Sequence, residues 1–121
     1  LQEALAAPLI ESAFSKDKIL ELYMNEVFLG QEGSFAIHGF GEAARAFFGK
    51  PVEKISIGES AILAGLVKAP TKYSPRRSPE RAKERRDIVL GKMHELGKLS
   101  DSEFEGALKE SIQTVPPERS R

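Results

Sequence analysis

The sequence lacks cysteine, tryptophan, net charge and any long apolar run. Its 18 Lys and Arg balance 18 Asp and Glu over 121 residues. Without cysteine, disulfide bonds, thiolate zinc sites and cysteine nucleophiles are all excluded. The longest apolar runs, residues 4–10 and 61–67, fall far short of the roughly 20 residues that a spanning helix needs. A hydrophobic content of 40% and a charged content of 30% are typical of one folded domain.

The ends of the chain suggest that it belongs to something longer. It begins Leu1-Gln2-Glu3, with neither an initiating methionine nor the basic start of a signal peptide. Because this opening already has helical character, we expect the chain to be a piece of a larger protein. We predict one unit over residues 1–111 and a proline-containing linker over residues 112–121.

The zero net charge conceals a cationic stretch. Residues 68–86, called the basic segment below, hold eight basic and two acidic side chains, and the residues on either side are net acidic. A local positive patch favours an anionic partner such as phosphate, pyrophosphate or nucleic acid. The alternative is a solvated helix face with pairs between Glu80 or Glu84 and neighbouring cations, and charge alone does not decide between the two.

Helical signals dominate the chain, and strand signals are scarce. Capping boxes at residues 56–59 and 100–103 predict two helix starts, and Ser78 followed by Pro79 predicts a third. We therefore predict an all-α fold on short connections. The six predicted helices span residues 3–14, 16–27, 36–48, 57–67, 79–96 and 101–111.

Several polar residues are candidates for chemistry. Glu3 could act as acid, base or metal ligand, although an exposed helical Glu is the commoner case. Tyr23 and Asn25 lie on an apolar helix, where a structural hydrogen bond is as plausible as substrate contact. Four cations could converge on one anionic group, since Arg binds phosphate as a fork and Lys as a point charge. They are Lys68, Lys72, Arg85 and Arg86.

Two motifs carry a family resemblance. Residues 15–30, SKDKILELYMNEVFLG, contain Lys18-Ile19-Leu20 followed by Tyr-x-Asn and Gly, and residues 85–90 read RRDIVL. With residues 43–84 between them, the chain resembles the peptidoglycan glycosyltransferase domain, family 51, of class A penicillin-binding proteins and monofunctional transglycosylases. The resemblance covers about residues 1–105, leans towards the type-1b branch, and implies the C-terminal part of a lysozyme-like helical domain.

The resemblance implies a reaction. Family members polymerise lipid II, a disaccharide pentapeptide on undecaprenyl pyrophosphate, into glycan strands and release the lipid pyrophosphate. This chemistry needs a carboxylate base and cations for the leaving group. The implied partners are lipid II, the nascent strand and other cell-wall synthesis proteins, with no nucleic acid. The implied parent protein sits in the cytoplasmic membrane, attached through a part N-terminal to this chain, and faces outward. The resemblance allows Mg or Mn there but assigns no metal ligand.

The resemblance also implies roles for individual residues. Glu3 matches the family's second functional Glu, near the pyrophosphate, and is the catalytic candidate. The expected substrate-binding residues are Phe28, Lys68, Lys72 and Arg85. The expected architectural residues are Tyr23, Asn25 and Arg86. Because the family's principal catalytic Glu lies upstream of the matched motifs, we expect the isolated chain to be inactive.

Two other function classes remain open on the residues alone. One is a helical module that binds DNA or RNA through the basic segment, with affinity that falls steeply as salt rises. Against it, Tyr73 is the only aromatic residue within that segment. The other is a helical interaction or scaffold domain, which includes a degenerate transferase fragment.

Overall fold

The first element in the described part of the chain is a β-hairpin that the sequence did not indicate. The structure is a computed structural model that describes residues 27–32 and 35–116. Strand β1, Phe28–Glu32, pairs antiparallel with β2, Phe35–His38. Leu29 and Ile37 belong to the core and are fully buried. In β2, Ile37 lies between the exposed Ala36 and His38, as the two-residue period of a strand requires, whereas Leu29 lies at an irregularity in the register of β1. The fold is therefore mostly helical, as predicted, but the all-α prediction needs correction.

Four helices follow the hairpin. The first, α1, continues directly into a π-helical turn, and a 3-10 turn at Val52–Lys54 precedes the second. The helices and the π-helical turn span α1 Phe40–Ala43, the turn Ala44–Phe48, α2 Ile57–Lys68, α3 Pro79–Glu95 and α4 Asp101–Leu108.

The predicted helix over residues 36–48 begins later than expected. Residues 35–38 pair with β1, and Gly39 turns the chain with a φ of 86°, so α1 starts at Phe40. The predicted helices over residues 3–14 and 16–26 lie outside the described residues. The count of six helices therefore stays a prediction.

The local start signals of the later helices are confirmed. The Ser56 hydroxyl accepts from the Glu59 N–H at 3.1 Å, and the Glu59 carboxylate accepts from the Ser56 N–H at 2.9 Å. Ser100 and Glu103 form the same reciprocal box at α4. Pro79 is the first residue of α3, but the Ser78 side chain makes no capping hydrogen bond.

The core lies on both sides of α2. Its larger part unites α2 with the hairpin and the π-helical turn, through residues such as Leu29, Phe47 and Leu66. A smaller cluster, Ala61, Leu90 and Ala107, joins α2 to α3 and α4. The nearly all-round apolar character of α2 is thereby explained, since it packs against neighbours on two sides. No described helix has the length and apolarity needed to cross a bilayer.

The loop between α2 and α3 carries the first half of the basic segment. The Tyr73 N–H donates to the Ala69 carbonyl at 3.0 Å, and the Ser78 N–H donates to the Ser74 carbonyl at 2.8 Å. The Tyr73 side chain packs against the larger core cluster. These contacts tie the loop to the end of α2 and to the start of α3.

The residues after α4 lie against the body of the fold. Ile112 packs on the larger core cluster, and the Val115 N–H donates to the Phe47 carbonyl at 2.8 Å. The division into a unit over residues 1–111 and a linker over residues 112–121 stays a prediction, and residues 117–121 lie outside the described part.

Candidate anion-binding site

The side chain of Arg85 packs against a glycine of the neighbouring helix. Arg85 lies on α3, which packs against α2, and the facing residue of α2 is Gly65. A Cβ added to Gly65 would lie 2.8 Å from the Cγ of Arg85, which is closer than real side chains approach. The absence of a side chain at Gly65 therefore lets the stem of Arg85 cross α2 in close contact.

The Tyr73 ring brings two of the predicted cations together. The Arg85 Cζ lies 5.8 Å from the ring centroid, and the Lys72 Nζ lies 5.4 Å from the same centroid. Both distances fall within the range of attraction between a cation and an aromatic face. Lys68 is the exposed last residue of α2, immediately before the turn that the Tyr73 N–H closes on Ala69.

These three cations have no carboxylate partners in the described part of the chain. Over residues 27–32 and 35–116, Lys68, Lys72 and Arg85 form no ion pair, and the buried Arg85 Nε has no hydrogen-bond partner. Glu80 and Glu84 form no ion pair in that range either. The pairs with Glu80 or Glu84 that a solvated helix face would give are therefore missing from the described part, although Lys83 pairs with Asp87 at 3.9 Å. Within that part, Lys68, Lys72 and Arg85 keep positive charge without a carboxylate partner, which favours an anionic ligand.

Arg86 does not converge with the other three cations. It is 1% exposed, and its guanidinium donates to the carbonyls of Glu110 at 2.7 Å and Leu108 at 3.1 Å. Its Nε donates to the Asp87 carboxylate at 3.0 Å. Its donors thus satisfy the unpaired carbonyls at the end of α4. Of the four cations expected to converge, only Lys72 and Arg85 contact the same group in the described part of the chain. That group is the Tyr73 ring.

Arg76 is a second cation whose hydrogen bonds stabilise the fold. The sequence did not indicate this role. Its Nη2 donates to the carbonyls of Ala46 and Val115, both at 2.6 Å, and its guanidinium lies 5.2 Å from the Phe47 ring centroid. Burial lowers the pKa of Arg76 because it disfavours the charged form. No sequence signal could have found this role, since the hydrogen-bonded partners lie 30 and 39 residues away.

A small pocket lies beside the same loop. Its volume is about 40 Å³, room for a water-sized group rather than for a sugar. None of the predicted site residues lines it. Its lining residues are Gly30, Gln31, Phe47, Pro70, Thr71, Ser74 and Arg77.

The remaining predicted site residues fall outside this cluster or outside the described part. Phe28 is 42% exposed on β1 and meets the His38 ring edge-on at 5.6 Å. Glu3, Tyr23 and Asn25 lie outside the described residues. In the part that is described, no group of three or more His, Cys, Asp and Glu side chains could hold a metal ion.

Comparison with known proteins decides the family. The model of the transglycosylase family matches residues 1–94. The chain belongs to that family. This transglycosylase chain is 50% identical over 108 residues to penicillin-binding protein 1B of Vibrio cholerae, covering 89% of this chain and 14% of the relative. It is 46% identical over 110 residues to penicillin-binding protein 1A of Neisseria flavescens, covering 91% of this chain and 13% of the relative.

Comparison of the fold with solved structures also finds a penicillin-binding protein. The crystal structure of penicillin-binding protein 1A from Haemophilus influenzae superimposes with a TM-score of 0.77 at 40% identity, covering 85% of this chain and 15% of that one. The match identifies a transglycosylase domain of class A penicillin-binding proteins. The chain spans only about a seventh of these relatives. Because they include both 1A and 1B proteins, the leaning towards the 1b branch stays a prediction.

Proposed function

We propose that this transglycosylase chain is the C-terminal part of a peptidoglycan glycosyltransferase domain that polymerises lipid II. The acceptor sugar hydroxyl attacks the anomeric carbon of the growing strand, its proton passes to a carboxylate base, and undecaprenyl pyrophosphate leaves with inversion. The observation that carries the proposal is the uncompensated charge of Lys72 and Arg85 around Tyr73, in a chain of this family.

In this proposal the cations act on the leaving group. The bond from the anomeric carbon to the pyrophosphate oxygen breaks, and negative charge grows on the pyrophosphate. Arg85 and Lys72 stabilise this charge, together with Lys68 at the end of α2, because fixed cations favour a transition state in which anionic charge develops. Arg85 can offer two parallel N–H donors to one phosphate, whereas each Lys offers a mobile point charge.

Other residues take the roles that the family resemblance implies. Glu3 contributes a carboxylate near the pyrophosphate, where a divalent cation could also bind, and Phe28 contacts substrate. Tyr23 and Asn25 hold the motif around them. Arg86 is architectural, a role supported by its three hydrogen-bonded partners beside α4.

The parent protein, on this proposal, is held in the cytoplasmic membrane by a part outside this chain and works on its outer face. Its substrates are lipid II and the nascent glycan strand, and other cell-wall synthesis proteins are its partners. The isolated 121-residue chain is inactive, since the principal catalytic Glu of the family has no match here. A gel assay in which the isolated chain alone extends glycan strands would contradict this.

Charge-matched variants of the parent protein test the site. Arg85→Ala and Lys68→Ala should each weaken binding of a phosphoglycolipid transglycosylase inhibitor about tenfold or more, because each removes a charged hydrogen-bond partner. Lys92→Ala is the control, since Lys92 is an exposed cation of α3 that pairs with Glu95 at 3.5 Å. Unchanged binding in both test variants would refute the assignment. Salt-sensitive binding of DNA that all three variants weaken equally would favour a nucleic-acid module instead.

A further inference from the structure

Tyr73 is held more firmly than an ordinary loop residue. It lies between Pro70 and Pro75, its N–H closes a turn on the Ala69 carbonyl at 3.0 Å, and part of its ring packs on the larger core cluster. Proline restricts φ on both sides of the turn, which reduces the freedom of the loop. The ring is therefore a fixed surface at the junction of α2, the loop and α3.

Two cations from different elements share this surface. Lys72 comes from the loop and Arg85 from α3, and at 5.4 and 5.8 Å from one centroid their charged groups are at most 11.2 Å apart. Like charges repel weakly at the far end of this range and more strongly when closer, so an attractive partner favours the arrangement. In the described part of the chain no carboxylate supplies this attraction, because the ion pairs there involve other cations.

An aromatic face and a carboxylate differ in what they leave for a ligand. A carboxylate would orient each cation and also neutralise it. The ring quadrupole attracts a cation without adding net negative charge, so the full positive charge stays available to an anion. A ring thus leaves the charge of a cation available to a ligand, as a carboxylate does not. The paired cations elsewhere in the chain, such as Lys50 with Glu59 at 3.0 Å, show the other arrangement. Arg76 beside Phe47 differs from Lys72 and Arg85 because its guanidinium also donates to two backbone carbonyls of the fold.

The two ends of the Arg85 side chain have separate supports. Its stem passes Gly65, where a Cβ would lie 2.8 Å from Cγ, and its guanidinium reaches the Tyr73 ring. The buried Nε has no hydrogen-bond partner, so no polar group of the described chain fixes the guanidinium orientation at that atom. The ring contact is therefore the interaction that can aim the remaining donors of Arg85.

We infer that Tyr73 is a positioning residue whose ring face holds Lys72 and Arg85, fully charged, in place for a diphosphate group. This inference rests on the proposed function, since the diphosphate is that of the proposed lipid substrate. The phenolic hydroxyl is not required, because the interaction belongs to the ring. The alternative is that Tyr73 contributes only apolar packing against the larger core cluster.

Two substitutions at Tyr73 separate these roles in the parent protein. Tyr73→Phe keeps the aromatic ring and its face. Tyr73→Leu keeps an apolar side chain but removes the ring. The probe is undecaprenyl pyrophosphate in detergent micelles. Tyr73→Leu should raise its Kd about tenfold, the scale of a partly desolvated cation–π contact, whereas Tyr73→Phe should change it by less than about threefold.

A double-mutant cycle makes the test independent of any loss of stability. In a Lys72→Gln/Arg85→Gln background, Tyr73→Leu should change the Kd by less than about twofold, because the cations that the ring positions are gone. An equal effect of Tyr73→Leu in both backgrounds, or equal losses in Tyr73→Leu and Tyr73→Phe, would overturn the inference. So would an unchanged Kd in Tyr73→Leu.

The outcomes also distinguish this inference from the proposed function. If Lys72→Gln/Arg85→Gln alone leaves the Kd unchanged, the cations do not bind the diphosphate, and both proposals fall. If that double variant weakens binding but Tyr73→Leu does not, only the positioning role fails and the cation assignment stands.

Discussion

At the scale of single residues, two adjacent arginines make different kinds of contact. Successive residues of a helix point about 100° apart, so Arg85 and Arg86 leave α3 in different directions. Arg86 is 1% exposed and bonds to carbonyls at the end of α4, whereas Arg85 crosses Gly65 towards the Tyr73 ring. Arg86 therefore stabilises the fold through its hydrogen bonds, whereas Arg85 has no carboxylate partner in the described part of the chain.

This contrast predicts different stabilities for the two alanine variants. Arg86→Ala should lower the free energy of unfolding by about 3 kcal/mol, since it leaves two carbonyls and Asp87 without their buried partner. Arg86→Lys should recover only part of this loss, because one ammonium cannot reproduce the fork. Urea unfolding of the 121-residue chain measures both effects.

Arg85→Ala is the matched control for that prediction. Because Arg85 has no ion pair in the described part and its Nε has no hydrogen-bond partner there, its removal should cost less than about 1 kcal/mol. Equal destabilisation by the two alanine variants would show that the division of roles between Arg85 and Arg86 is wrong.

At the scale of elements, the contact between α2 and α3 depends on a small residue. The stem of Arg85 lies where a side chain at Gly65 would be, and the two helices also meet through Ala61 and Leu90. Close packing of this kind tolerates little added volume. The position of Arg85 is thus set by how closely its helix approaches α2.

Two glycine-to-alanine changes test this packing. Gly65→Ala should lower the free energy of unfolding by about 1–2 kcal/mol, because the new Cβ pushes against the Arg85 Cγ near its backbone. Gly91→Ala, on α3 with nothing within 4 Å of its added Cβ, should instead raise stability by up to about 1 kcal/mol through helix propensity. Thermal unfolding measures both, and stabilisation by Gly65→Ala would contradict the packing argument.

The local signals of α2 and α4 were sufficient to predict both helices from sequence. A capping box joins residues three apart, so its partners can be recognised without knowing the fold. The hairpin escaped prediction because its strands are only five and four residues long. Gly30 and Gly33 indicate a loop, and residues 36–38 of β2 fall at the start of the predicted helix over residues 36–48. The antiparallel pairing of β1 with β2 determines the secondary structure of residues 28–32 and 35–38.

At the scale of the whole molecule, residues 110–116 connect elements that are distant in sequence. The Ser56 hydroxyl donates to the Glu110 carboxylate at 2.6 Å at the start of α2, and Ile112 packs on the core. Val115 accepts from Arg76 and donates to Phe47. This segment therefore behaves as part of the fold as far as residue 116.

Shortening the chain tests how much this segment contributes. A chain that ends at Lys109 should be less stable than one that ends at Pro116 by at least about 3 kcal/mol, because it loses several hydrogen bonds and a partly buried apolar side chain. Urea unfolding of the two chains measures the difference. Equal midpoints would mean that residues 110–116 act only as a linker.

What the sequence by itself determined were features that depend on neighbours in the chain: three helix starts, the basic segment and the family motifs. Only the tertiary structure decided which cations of the basic segment are held by hydrogen bonds within the described fold. Arg76 is held by Val115, 39 residues away, and Arg86 by the end of α4, while Lys72 and Arg85 meet at one ring. Charge can be counted along the chain, but its compensation depends on packing between distant residues, which no local pattern encodes.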